Sequence, residues 1–170
     1  MKKTKTKMKM KIIQEIKNYV FNFLSYREYS KYELEQRLKK KGYEINNIYS
    51  VLDRLESLNY INDERFAEKW IKDRLNLKPR GKNLIRKELK EKGINKKIID
   101  KLINIYISEN VERKMALKLA KKWLEKKEYK KNIDKIKLQR YLYGKGFNRY
   151  IIYNVMDILS DKYNFRNSDY

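Results

Sequence analysis

Three glycines, Gly42, Gly93 and Gly146, organise this 170-residue chain, because each stands in the same pattern of apolar residues. Leu38, Leu89 and Leu142 come four residues before them, and Tyr43, Ile94 and Phe147 come one after. Further on, the columns Ile48/Ile99/Ile152, Val51/Leu102/Val155, Leu52/Ile103/Met156 and Leu55/Tyr106/Leu159 keep equal distances from their glycines. Tyr19, Trp70 and Trp123 occupy one matching place upstream. Columns that recur together in this way mark an internal repeat. The spacing within each copy is helical, and Gly (5) and Pro (1) are too scarce to break the chain into strands and turns. The fold class expected is all-α: three tandem three-helix repeats, helix-turn-helix-like units, forming an elongated array.

The repeated glycine has a physical reading. A helix often stops at a residue in the left-handed conformation, which glycine enters without a Cβ penalty. With Gly42 in that place, Leu38 and Tyr43 are the two positions that touch across a Schellman end, and Leu89–Ile94 and Leu142–Phe147 repeat the pair. Asn95 and Asn148 then stand ready to cap the next helix, where the first copy has Glu44. Upstream, Ser30-Lys31-Tyr32-Glu33 reads as a capping box, with Gly81 and Asp134 in the corresponding places. Longer helices are expected over 10–26, 63–76 and 109–128, the second capped by Asn62-Asp63. The boundaries that follow are a basic arm 1–11, repeats 12–59, 60–107 and 108–162, and a tail 163–170. Trp70, Trp123, Leu38 and Ile99 are expected in the core.

Charge bears on function. Lys and Arg number 44 against 22 Asp and Glu, a net +22, and the excess divides almost evenly as +7, +7 and +8 over residues 1–59, 60–107 and 108–170. Such a surface suits a polyanionic partner longer than one unit. The densest basic segment is Lys72, Arg74, Lys78, Arg80, Lys82, Arg86 and Lys87, crossing the loop that holds Pro79. Lys121, Lys122, Lys126 and Lys127 lead a second cluster. Such groups suit phosphate contacts and carry no sequence readout. Some of the 15 tyrosines offer rings for stacking on bases.

Other chemistry is disfavoured. The chain has neither cysteine nor histidine, which removes disulfides, thiolate nucleophiles, imidazole bases and the usual zinc sites. Asp63-Glu64 is the conspicuous carboxylate pair, and a helix start explains it. No glycine-rich phosphate loop is present. The expectation is a protein with no enzymatic activity and no cofactor. The absence of a long apolar run adds a soluble, cytoplasmic setting with no membrane partner.

Tyr60-Ile61-Asn62-Asp63-Glu64-Arg65-Phe66-Ala67, with Trp70-Ile71 and Arg74, resembles the signature of the RecX regulatory proteins. So does the stretch with Gly81, Leu84, Glu88, Leu89, Lys92, Gly93 and Ile94, and more loosely Glu33-Leu34, Leu38 and Gly42-Tyr43. The resemblance implies three-helix repeats that dock on filaments of the RecA recombinase and usually inhibit it, hence regulation of DNA repair and recombination. It implies a basic binding surface, carried here onto Arg65, Arg74, Arg80, Lys82 and Arg86. The partners expected are the RecA filament and single- and double-stranded DNA, met mainly through phosphates by a monomer. The alternative is a stand-alone nucleic-acid-binding protein of helix-turn-helix type.

Overall fold

The computed structural model describes residues 2–126, 133–161, 163, 165 and 166. The chain is all-helical, as expected. In order come α1 (Lys2–Leu24), α2 (Lys31–Lys40), α3 (Ile45–Ser57), α4 (Asp63–Asn76), α5 (Lys82–Glu91), α6 (Lys96–Tyr106), α7 (Glu109–Glu125), α8 (Lys135–Gly144) and α9 (Arg149–Ser160). A two-residue parallel pairing of β1 (Ile133–Asp134) with β2 (Phe165–Arg166) is the small exception. Two compact units result. One is Met1–Glu68 with Lys90–Asn95; the other is Lys69–Leu89 with Lys96–Tyr170.

The glycine corners have the expected geometry. Gly42, Gly93 and Gly146 sit at φ +87, +76 and +88. At the first corner the Gly42 N–H donates to Lys39 O at 2.9 Å and the Tyr43 N–H to Leu38 O at 3.3 Å, the two bonds of a Schellman end. At the third, Gly146 donates to Tyr143 O and Phe147 to Leu142 O. Helix starts also follow their sequence. The Ser30 hydroxyl accepts from the Glu33 N–H while the Glu33 carboxylate accepts from the Ser30 N–H, closing the capping box. Asn62, Asp134 and Asn148 each accept a backbone N–H three residues on. Glu44 makes no such cap, so α3 starts without one.

In the first unit, Ile16 and Val20 of α1, Leu34 and Leu38 of α2, and Ile48, Val51, Leu52 and Leu55 of α3 form one apolar cluster with Ile61. Each such side chain, once buried, contributes about 1.5–3 kcal/mol. In the second unit, α7, α8 and α9 pack on one another, burying Ala116, Ala120, Leu138, Leu142, Val155 and Leu159. Every residue of the repeated apolar columns downstream of a glycine is buried except Tyr43 and Tyr106.

Two expectations need correction. Trp70 and Trp123 are half-buried, unlike Leu38 and Ile99, which are in the core. The reason is that both rings hold polar or aromatic neighbours at the surface: the Arg74 guanidinium lies 4.2 Å over Trp70, and Tyr141 sits 6.2 Å from Trp123. The first helix also starts earlier than position 10, at Lys2, because nothing in the Lys/Met-rich stretch before it breaks a helix.

Candidate functional site

Helix starts in both units are tied to a neighbouring corner by the same kind of bonds. In the first unit the Ser30 hydroxyl donates to the carbonyl of Lys92, the residue before Gly93, at 2.8 Å. The next N–H, that of Lys31, donates to the Asp63 carboxylate at 2.8 Å. Burial pushes the Asp63 carboxyl above its ordinary value, with the Lys31 N–H opposing. This carboxylate therefore serves the start of another helix as well as standing at its own. In the second unit the Gly81 N–H donates to the carbonyl of Lys145, the residue before Gly146, at 2.8 Å. The Lys82 N–H donates to buried Glu112 at 2.9 Å, and Asn83 N–H adds a bond to Gly146 O at 3.2 Å.

That second joint assembles a cleft. It draws loop 77–81 against the α8–α9 corner, and α7 supplies the facing wall. The cleft encloses about 310 Å³ and is lined by Leu77, Lys78, Pro79 and Arg80 from the loop, Leu119, Lys122, Trp123 and Lys126 from α7, and Tyr141 and Lys145 from α8 and its end. The α7 contribution falls at i, i+3, i+4 and i+7, one helix face. Among the described residues its lining holds five cations and no carboxylate. A concave site with one sign of charge concentrates its field on a counter-charged ligand.

Glu88 anchors one side. Its Oε2 accepts from the Trp70 indole at 2.8 Å and from Arg74 Nε at 2.6 Å. Its Oε1 is 3.9 Å from Arg80 Nε, inside ion-pair range but too long for a hydrogen bond. Arg80 Nε is buried and makes no hydrogen bond, while its Nη1 reaches Pro79 O at 3.4 Å.

The twelve basic residues singled out from the sequence separate accordingly. Lys78, Arg80, Lys122 and Lys126 line the cleft. Arg65 belongs to the first unit, where it grips Glu28 through Nε (2.7 Å) and Nη2 (3.2 Å) and also reaches the carbonyls of Asn59 and Tyr60. Arg74 is held by Glu88, Lys82 lies 3.8 Å from Glu112, and Arg86 pairs with Asp100 at 3.3 Å. Lys72 lies 5.2 Å over the Tyr106 ring. Lys87 and Lys121 are exposed outside the cleft lining. Lys127 lies outside the described residues. Lys145 was missed by sequence reading, since only the docking of its corner brings it to the cleft.

A second depression, of about 490 Å³, lies on α8 and α9 between Arg140, Tyr143, Arg149 and Tyr153. Among the described residues no group of three or more acidic side chains converges to hold a metal ion. None of the described helices is long and apolar enough to cross a membrane.

Residues 17–55 match the first three-helix domain of RecX and residues 62–103 match the second. The chain is 37% identical over 145 residues to "Regulatory protein RecX" of Clostridioides difficile (strain 630), covering 84% of this chain and 67% of that protein. It is 31% identical over 142 residues to the protein of that name from Prosthecochloris aestuarii, covering 84% and 91%. Two further curated relatives are spanned over only 55% and 48% of their length. The crystal structure of RecX from Lactobacillus salivarius superposes with a TM-score of 0.75 at 25% identity, covering 87% of this chain and 96% of that one. With family domains, relatives and fold in agreement, the chain belongs to the RecX family of regulatory proteins.

Proposed function

We propose that the chain binds RecA recombinase filaments on DNA and restrains their activity, and so regulates DNA repair and recombination without catalysing a reaction of its own. The observation that carries this reading is a cationic cleft, free of carboxylates among the described residues, in a chain of this regulatory family. A filament offers phosphates at its axis and a repeating protein surface around them. Three tandem three-helix repeats, 12–59, 60–107 and 108–162, give a monomer the length to follow it in the cytoplasm. Phosphate contacts through lysine and arginine supply affinity for single- and double-stranded DNA and make it depend on salt.

The test is RecA ATPase and strand exchange on single-stranded DNA, with the protein substoichiometric to RecA. Suppression of both is expected, together with cosedimentation on RecA–DNA filaments beyond that on DNA alone. Unchanged ATPase and no filament-dependent sedimentation would refute the reading and favour a stand-alone nucleic-acid-binding protein.

A further inference from the structure

We infer that the cleft at loop 77–81 is a binding site for single-stranded nucleic acid, with a base laid on the Trp123–Tyr141 wall and phosphates held by the surrounding lysines. The inference rests on the reading of the chain as a DNA-associated regulator for its biological setting, and on the cleft's own geometry for its chemistry.

Charge comes first. Lys78, Arg80, Lys122 and Lys126 line one concavity that carries no acidic side chain among the described residues. Arg80 keeps its Nε buried without a hydrogen bond, and its link to Glu88 is long at 3.9 Å. Arg80 thus lines the cleft while its Nε is held only by an ion pair too long for a hydrogen bond. Charge alone would suit any polyanion, including an acidic protein.

The wall decides between them. Trp123 and Tyr141 both line the cleft, their centroids 6.2 Å apart and their planes inclined by only 32°. Both are half-buried, and the Lys145 Nζ lies 5.2 Å over the Tyr141 ring, so aromatic surface and cation already meet in the cleft. Rigid aromatic surface ringed by cations is the equipment for stacking unpaired bases. A duplex hides the faces of its bases inside the stack, so these rings reach a base only on a single strand. The volume of about 310 Å³ is at the small end for ligand clefts, of roughly 300–1,000 Å³, and suits one nucleotide rather than a double helix. Every base has a π-face, so the stacking is sequence-tolerant.

The experiment uses the full chain, without RecA, and fluorescence anisotropy of a labelled oligo(dT) strand against a duplex with equal phosphates. Trp123→Leu should weaken binding of the single strand about 5- to 150-fold while leaving duplex binding and the salt slope unchanged. Trp123→Phe, which keeps a ring, should retain single-strand affinity within about threefold, the small part of the stacking energy that the lost ring accounts for. Lys122→Ala with Lys126→Ala should reduce the slope of log K against log salt by about 1.4, at about 0.7 per phosphate contact on single strands. Lys9→Ala with Lys11→Ala removes the same charge from exposed positions of α1 and should leave the slope within about 0.3 of wild type. Circular dichroism and melting confirm that each variant folds; should Trp123→Leu not fold, Tyr141→Leu takes its place with the same expectation. Equal loss of strand and duplex binding, or a Lys122/Lys126 variant no different from the control, overturns the inference. So does a Lys122/Lys126 variant that loses RecA cosedimentation while oligo(dT) binding stands, since the cleft would then hold an acidic protein face. Oligo(dT) binding that behaves as stated, with no effect on RecA, leaves the inference standing and removes the regulatory reading instead.

Discussion

Replacing Gly81 by alanine tests whether fold and cleft depend on one joint. A Cβ at Gly81 would fall on the backbone carbon and oxygen of Gly146 and the nitrogen of Phe147, closer than real Cβ atoms approach anything. Those atoms belong to a corner closed by its own hydrogen bonds, so they cannot give way as the tip of a side chain would. The loop must lift, and the bonds Gly81 N–H to Lys145 O and Asn83 N–H to Gly146 O go with it. Two such bonds contribute about 2 kcal/mol, and overpacking at a tight contact costs about 1–3 kcal/mol. The expected loss is about 3–5 kcal/mol, measured by urea unfolding followed by circular dichroism. Two other glycines serve as references. Gly42 has nothing within 4 Å of its would-be Cβ but sits at φ +87, so Gly42→Ala should cost about 1–2 kcal/mol of backbone strain alone. Gly144 has open space, helical surroundings and no positive φ, so Gly144→Ala should stabilise by up to about 1 kcal/mol. Gly81→Ala should also lose oligonucleotide binding in proportion to its opening of the joint. A Gly81→Ala variant as stable as Gly42→Ala would refute the close-approach reasoning.

Three further outcomes are expected. Burial works to raise the Glu33 carboxyl, but hydrogen bonds from Lys92 and Arg27 outweigh it and hold it below its ordinary value of 4.5; its stabilising contribution is therefore complete above pH 4.5 and lost as pH falls through the lower folded value, so the stability gap between wild type and Glu33→Gln should close on acidification, and a gap constant from pH 7 to pH 3 would exclude the linkage. Trp70→Ala should cost about 2 kcal/mol, less than the roughly 3–5 kcal/mol of a core tryptophan, because it removes a half-buried ring with its Arg74 contact and its bond to Glu88; a thermal or urea measurement above about 4 kcal/mol would return the ring to the core. Arg80→Gln should weaken oligo(dT) binding measurably by anisotropy whereas Arg86→Gln should not, since Arg86 is engaged with Asp100 and does not line the cleft; equal effects would mean that only net charge matters.

Local signals were readable because local physics sets them. The left-handed corner at Gly42, the capping box at Ser30 and the caps at Asn62 and Asn148 each involve atoms a few residues apart, so residue type and spacing were sufficient. Burial of the apolar columns followed from helical period. The cleft was only half legible. Lys78, Arg80, Lys122 and Lys126 stood out as charge, but Lys145 looked like any lysine before a corner, because its place depends on a bond to Gly81 far away in the chain. Trp123 was assigned to the core because size and hydrophobicity favour the interior. Periodicity tells which face a residue is on, not whether a neighbouring element covers that face. One usable signal was the glycine at position 81, where the first copy has Ser30 and the third has Asp134. A cap without a side chain, at a site where a hydroxyl or carboxylate serves elsewhere, points to close backbone approach.

The two joints explain why the cationic cleft sits where it does. The first N–H groups of a helix have no partner inside it and must find one. Here Lys31 and Lys82 take theirs from carboxylates of later helices, Asp63 and Glu112, while Ser30 and Gly81 spend a donor on the carbonyl before a corner glycine. Capping in this chain is thus done between modules as well as within them, and the cost of leaving a buried donor unpaired makes the docking specific. In the first unit the joint is finished by side chains: Glu33 reaches across to Lys92 at 2.6 Å, and the pair neutralises itself. In the second unit glycine replaces serine, the backbones come together directly, and position 84 is Leu where Glu33 stands in the first copy. Among the described residues no carboxylate pairs with Lys145, whose Nζ lies 5.2 Å over the Tyr141 ring and which lines the cleft together with Lys78 and Arg80 from the adjoining loop. The same repeated geometry gives a self-neutralised joint in one unit and a joint bordered by a cationic cleft in the other. The difference lies in residues 81 and 84; position 81 admits no side chain, so Leu84→Glu is the change that should restore the carboxylate and weaken oligo(dT) binding by anisotropy without touching a cleft-lining lysine.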